Sequence, residues 1–219
     1  MSISRNAITA GLVMIVLTLL LGIAYPLAIT GISQVVFPGN ANGQQIKIAG
    51  KVVGSKIIGQ NFATPVYKNG KAQMEAGEPV TKPDPRYFQS RPSATVPADN
   101  AAGTTFSNLG PNNKTTEAEI AANIQAYLQL NKPYDPGLTK ATVPVDAADS
   151  SASGVDPDIS PANAWIQAHR IVAVRHIPLS EVMGLITKYT TGPSLGIFGE
   201  ASVNVLELNL ALNDIQGGR

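Results

Sequence analysis

The feature that most constrains this chain is a stretch without charge: after Arg5 the next formal charge is Lys47, and inside that gap ITAGLVMIVLTLLLGIAYPLAITGI runs from Ile8 to Ile32. About 25 such residues, at about 1.5 Å each, make a helix longer than the roughly 30 Å hydrocarbon core of a bilayer. The run therefore predicts a membrane-spanning anchor over residues 8–36 behind a short tail, residues 1–7. A cleaved signal peptide would share the basic start at Arg5, but its apolar part is shorter, and no Ala-x-Ala-like site follows here. For orientation there is only Arg5 and the amino terminus on one side against Lys47, Lys51 and Lys56 on the other. A short tail ahead of a large polar body suits an N-terminus inside and an exported body. Pro26 removes a backbone donor and clashes with the carbonyl of Gly22, which predicts a kink or the outer end of the helix. Gly11, Gly22, Ala24, Ala28 and Gly31 leave room for another helix to approach.

Beyond Phe37 the composition turns to Gly, Asn, Gln and Pro, and QQIKIAGKVVGSKIIGQ shows the short β-branched runs of brief strands. Residues 63–85, rich in turn formers, read as a surface excursion with a hairpin at Asn69-Gly70. Thr116 with Glu119 forms a capping box ahead of Ile120, Ala121, Ile124, Tyr127 and Leu128 at helical spacing, a segment that Pro133 stops. A second helix is expected with Ser160 as N-cap and Pro161 at its first position, and a third from Ser180 with Val182, Leu185, Ile186 and Tyr189 on one face. The C-terminal SVNVLELNLALNDIQ fits either strand or helix; the spacing Val205, Leu208, Leu212, Ile215 favours helix. Residues 37–219 are thus expected to form a single α+β domain, strands first and helices later.

The densest cluster of polar chemistry lies in ASGVDPDISPANAWIQAHRIVAVRHI, Ala152–Ile177. On a helix from Pro161, the residues Ala162, Trp165, Ile166, His169, Val172, Ala173 and His176 form one stripe, which places both histidines at or within the apolar face. Seven residues apart and without an adjacent Glu, they lack metal-site spacing and read as structural, with His176 complementing the helix dipole. Asp156 and Asp158 read as turn residues at the helix start, and Arg170 and Arg175 as solvated or partner-facing charges. A net charge of +1 gives no reason to expect nucleic acid, and the lack of cysteine removes disulfides, thiolate metal sites and a cysteine nucleophile. GxxxxGK[ST], HExxH, GxSxG and DKTGT-type phosphorylation motifs are missing, so no catalytic centre assembles. Asn113-Lys114-Thr115 matches a glycosylation sequon at a frequency that chance explains.

Six stretches taken in order, GIAYPL (22–27), GSKIIGQNF (54–62), YFQSRPSAT (87–95), SNLGPNN (107–113), PVDAADSSASGVDPDISPANA (144–164) and VNVLELNLAL (203–212), resemble the C subunit of the bacterial Kdp-type potassium-transporting ATPase. The resemblance spans nearly the whole chain. It implies a single-pass subunit of the bacterial inner membrane, its N-terminus cytoplasmic and its α+β domain extracytoplasmic. The implied partners are a channel-like potassium-binding subunit, a P-type pump subunit and a small membrane peptide. Phosphorylation and K+ then belong to the partners, and this chain is accessory: needed for assembly, with a capping or steering role at the ion entrance. The family is also described as a catalytic chaperone that raises the ATP affinity of the pump; a domain outside the cytoplasm without a phosphate cradle does not favour ATP on this chain. Two departures stand out, a longer link at 63–85 and AAD at 147–149 where a more apolar triplet is common. The expected partner interface comprises Tyr25, Pro26, Gln60, Asn61, Phe62, Tyr87, Phe88, Arg91, Pro92 and Ser93, with Arg91 bonding partner carbonyls or carboxylates and Tyr87 and Phe88 as apolar anchors. The other reading of the same residues is that Phe62, Tyr87 and Phe88 are core and Arg91 satisfies local carbonyls. A different class of function, a membrane-anchored periplasmic protein binding a metal or small ligand, would use Asp156, Asp158 and His169.

Overall fold

The structure, a computed structural model, describes residues 3–75, 77–95, 98–103, 108–110 and 112–217; Ser107 and Pro111 of the SNLGPNN stretch lie outside them. The chain divides into two compact units, Met1–Val53 and Gly54–Arg219.

In the first unit α1 (Ile3–Leu17), a π-helical segment (Thr18–Ala24) and α2 (Tyr25–Val36) follow without a break. Together they make one apolar helix of 34 residues, none of whose most apolar window is buried, unlike a core helix. Residues 3–7, expected as a tail, are its first turns. Of the two expectations for Pro26, a kink or the outer end of the helix, the second does not hold: α2 continues for ten residues past it. Instead the backbone widens just before it, and Tyr25 N–H donates to Leu20 O, five residues back. A wide turn accommodates a ring that would otherwise strike the carbonyl four residues earlier, and it spares the missing donor. After a single turn, α3 (Pro38–Ala41), strands β1 (Gln45–Ile48) and β2 (Lys51–Ser55) pair across Ala49 and Gly50, both at positive φ.

The second unit opens with the excursion, which is far more ordered than a loop. β3 (Ala63–Pro65) pairs antiparallel with β8 (Thr81–Pro83), β4 (Tyr67–Lys68) with β5 (Lys71–Ala72), and β6 (Met74–Glu75) with β7 (Glu78–Pro79). The expected hairpin is present: Asn69 (φ 52°) and Gly70 (φ 77°) both take the left-handed values of a type I′ turn. Where the three ladders meet, Val66 N–H donates to Val80 O, Val80 N–H to Gln73 O and Gln73 N–H to Val66 O, each at 2.8 Å. Three residues spaced by seven thus close a ring of backbone hydrogen bonds.

Helices α4 (Lys114–Asn131), α5 (Pro161–Arg175), α6 (Leu179–Lys188) and α7 (Val205–Gly217) enclose the core with a small antiparallel sheet in the order β10 (Thr190–Thr191), β11 (Ser202–Asn204), β9 (Asp158–Ile159). Val203 sits opposite both Thr190 and Ile159. The C-terminal stretch resolves its ambiguity by being both: three residues complete the sheet and the rest is helix. Phe88, Ile159, Ala168, Ile171, Val182, Ile186, Val203, Leu208 and Leu212 fill the core, and Leu185 and Tyr189 pack against it. Ser160 caps α5 as expected, accepting from Asn163 N–H at 3.1 Å. The capping box at Thr116 is not the start of α4: the cap is Asn113, whose side-chain oxygen accepts from Thr115 N–H at 2.8 Å. A free Asn side chain is the better cap, and it leaves the sequon asparagine engaged. Asn113→Ala is expected to cost about 1 kcal/mol, measured by urea unfolding of the detergent-solubilised chain; no change in midpoint would remove Asn113 as the cap.

Candidate functional site

The segment Asp84–Ser93 carries half of the expected interface residues; it turns at Asp84–Tyr87, with Tyr87 N–H on Asp84 O at 3.2 Å, and then runs on without belonging to any sheet. Its backbone is satisfied by side chains instead. Phe88 N–H donates to Asn209 Oδ1 at 2.8 Å and Phe88 O accepts from Asn209 Nδ2 at 2.9 Å. Gln167 does the same for Gln89, accepting from its N–H at 2.7 Å and donating to its carbonyl at 3.0 Å. Arg170, 0% exposed, donates to Pro85 O, to Tyr87 O at 2.9 Å, to Asn131 Oδ1 at 3.0 Å and to Gln167 Oε1 at 2.8 Å. Arg175 donates to Arg86 O at 2.6 Å and Asn213 Oδ1 at 2.9 Å. Two amides and two guanidinia thus replace a neighbouring strand.

This arrangement reverses the expected faces of α5. Asn163, Ala164, Gln167, Ala168, Arg170, Ile171 and Arg175 are buried, whereas Ala162, Trp165, His169, Ala173 and His176 are exposed. Arg170 and Arg175, expected as solvated or partner-facing charges, are inside, because carbonyls and amides from distant segments meet their forks; the histidines, expected at or within the apolar face, are outside. His176 does close α5, in a left-handed conformation with its N–H on Val172 O. Burial without a carboxylate among its bonded partners lowers Arg170 to about 10. Burial also raises the Tyr127 hydroxyl, which donates to Asn163 Oδ1 at 2.9 Å. Asp84 is held below its usual range, first by the hydrogen bond from Arg86.

The expected interface residues fall into three groups. Phe88 is 0% exposed and belongs to the core, so it cannot serve as a partner anchor. Phe62 packs on the core and against the Tyr87 ring at 5.5 Å, while Tyr87 lies under the guanidinium of Arg175 at 4.7 Å. Arg91 pairs with Asp156 at 3.2 Å and reaches Asp149 O at 3.4 Å, and Ser93 donates to Gly154 O at 2.7 Å. Asn61 is exposed, as are Tyr25 and Pro26 within the long helix. Two buried atoms in this neighbourhood, Gln60 Oε1 and Arg91 Nε, find no hydrogen-bond partner among the described residues. The residue that sequence reasoning missed is Asp146, which accepts from Ser160 N–H at 2.8 Å, Ser160 hydroxyl at 2.9 Å and Asn163 Nδ2 at 2.9 Å, fixing the start of α5.

Two grooves flank this region. One, of about 660 Å³, is lined by Ser93, Thr116, Glu119, Asn123 and Asp149 among others; the second, of about 330 Å³, holds Arg91 with Asp146, Asp156, Asp158 and Glu200. Among the described residues the first groove is lined by no basic side chain, and the second sets four carboxylates against one guanidinium, linings that do not suit a nucleotide polyphosphate. Nor do Asp156, Asp158 and His169 assemble a metal site: Asp158 accepts from Ser202 hydroxyl at 2.8 Å and Asn204 Nδ2 at 2.9 Å, and the described residues include no group of three or more potential ligands.

Gly59 sits at the centre of the region, its N–H on Val155 O at 2.7 Å. A Cβ there would lie 2.7 Å from Asp99 Oδ1 and 2.8 Å from Asp156 O, which only glycine avoids. The burial that this tight approach brings pushes Asp99 up to about 6. Its carboxyl ionises near 3.9 in an unfolded chain, so between about pH 4 and 6 the unfolded state loses its proton first and stability falls as pH rises, levelling off above. Asp99→Asn is expected to remove that decline, read as thermal midpoints from pH 4 to 7; parallel curves for both proteins would refute it.

Comparison with known proteins follows the whole chain. Residues 7–214 match the family model described as KdpC, the K+-transporting ATPase c chain. Among curated relatives, a "Potassium-transporting ATPase KdpC subunit" of Polaromonas naphthalenivorans is 44% identical over 97% of this chain and 96% of its own length. The proteins of the same name from Ralstonia nicotianae and Streptomyces coelicolor are 43% and 40% identical over 91% and 94% of this chain, and 86% and 92% of their own.

Proposed function

The chain belongs to the KdpC family of K+-transporting ATPase c chains, and from that membership we infer that it is an accessory subunit of a potassium-transporting ATPase. The observation that carries this reading is the match over residues 7–214, which takes in both the apolar helix and the α+β unit behind it. The helix Ile3–Val36 anchors the subunit in the membrane, with its N-terminus in the cytoplasm and the α+β unit outside. ATP hydrolysis and ion selection reside in the partners: a P-type pump subunit, a channel-like potassium-binding subunit and a small membrane peptide. The contribution of this chain is assembly and the shaping of the ion entrance. The acidic, arginine-poor grooves support a role that needs no nucleotide here.

The test is recovery from membranes. A C-terminally tagged chain extracted in mild detergent is expected to bring down a P-type ATPase and a channel-like subunit, identified by mass spectrometry. Recovery of the chain alone, under conditions that preserve other membrane complexes, would overturn the proposal.

A further inference from the structure

Residues 191–200 are exposed without exception, and three of the four residues 195–198 are large and apolar: Leu195 at 90%, Ile197 at 77% and Phe198 at 62% exposure. Together they make a patch of roughly 300–500 Å², the size at which apolar surface on a monomer marks an interaction site. The tip is built, not slack. Ser194 N–H donates to Phe198 O at 2.8 Å and Phe198 N–H to Ser194 O at 3.0 Å, closing a bridge, while Gly196 N–H donates to Pro193 O at 3.0 Å. Leu195, Gly196 and Gly199 all have positive φ, and for a branched residue such as Leu195 that conformation costs about 1–2 kcal/mol. A leucine held there, outward and strained, does nothing for the core.

We propose that the loop Pro193–Gly199 is the plug by which this subunit docks, seated in an apolar socket of another subunit of the transporter; this rests on the accessory-subunit reading above. Three observations select that occupant. A lipid surface would be met with basic residues beside the apolar tip; from Tyr189 to Asn204 the one charge is Glu200, which anionic headgroups repel. A second copy would offer another convex tip; of the two grooves, the smaller is ringed by four carboxylates, and the larger has Glu119 and Asp149 on its wall beside Leu109 and Ile120, so that docking there would bury carboxylates against Leu195 and Phe198. A preformed tip loses little entropy on binding, which suits a shaped protein pocket. At well under the roughly 800 Å² per partner of a stable interface, the loop is the anchoring hot spot within a wider contact.

Two experiments on the full-length chain, expressed with its transporter, decide the matter. Leu195→Ser, Ile197→Ser and Phe198→Ser combined should leave the thermal midpoint of the purified chain within about 2 °C while lowering co-recovery of the other subunits at least tenfold. Equal recovery would sink the plug with the subunit reading intact; failure of the unsubstituted chain to recover any subunit would sink both. Because the chain has no cysteine, Phe198→Cys provides its single thiol for a benzophenone photocrosslinker in native membranes. The expected product is a covalent adduct with an identified subunit of the ATPase, with none from Lys140→Cys. Adducts with lipid alone, with a second copy, or with nothing would overturn the proposal, whatever the triple variant does.

Discussion

Arg170→Met should destabilise the α+β unit by roughly 3–5 kcal/mol, one of the two largest losses expected from any single change in this protein. Methionine matches the volume and removes the fork. The Pro85 carbonyl and the Asn131 side-chain oxygen then lose the donor that each had, and Tyr87 O keeps only Gln89 Nε2, at about 1–3 kcal/mol for each group left unpaired. Arg170→Lys should recover less than half, since a point charge with three donors cannot span acceptors arranged around a planar guanidinium. Urea unfolding followed by the fluorescence of Trp165, the single tryptophan, reads both. A methionine variant within 1 kcal/mol of wild type would mean that Arg170 does not hold the Asp84–Ser93 segment.

The second large effect comes from the same segment. Phe88→Ala removes a fully buried ring from the centre of the core, a change that costs about 3–5 kcal/mol, while Phe88→Leu should cost under about 1.5 kcal/mol. The measurement is made on the chain purified without partners, where the two roles once open for Phe88 separate. A core residue destabilises the isolated chain; a docking anchor leaves it intact and weakens only co-recovery. A stable, fully folded Phe88→Ala chain would move Phe88 from the core to the docking surface.

What the sequence disclosed depended on whether a signal was local. The long helix was legible because an unbroken apolar run without charge is itself what makes a helix long and apolar enough to cross a membrane. The Asn69-Gly70 turn and the Ser160-Pro161 helix start were legible because each is fixed by its own residues. The facing of α5 was not. Its apolar stripe, Trp165 among it, looks outward, because the inward stripe is set by groups from other parts of the chain: Gln89 for Gln167, Pro85 and Tyr87 for Arg170, Arg86 for Arg175. A signal was present in principle: Asn163, Gln167 and Arg170 recur at helical spacing beside Ala164, Ala168 and Ile171, a polar stripe laid against an apolar one. Only a segment with unpaired backbone groups would need such a stripe, and YFQS, too short and too flanked by Pro85 and Pro92 for a sheet strand, was that segment. Of the residues expected at a partner interface, those at 60–62 and 87–93 lie near one another in the second unit, but that Phe88 turns into the core and Arg91 toward Asp156 is a property of packing.

The ring of hydrogen bonds through Val66, Gln73 and Val80 has a practical corollary. Since Ala63 sits opposite Pro83 and Pro65 opposite Thr81, the rest of the protein meets residues 66–80 as a closed stem, whatever stands beyond it. That makes the segment a cassette: it can be exchanged for a two-residue turn, or opened at Asn69-Gly70 to carry an epitope or a fluorescent reporter, without passing strain to the core. For a subunit with a long apolar helix before this segment and a core helix after it, it is the natural handle for following the protein in living cells.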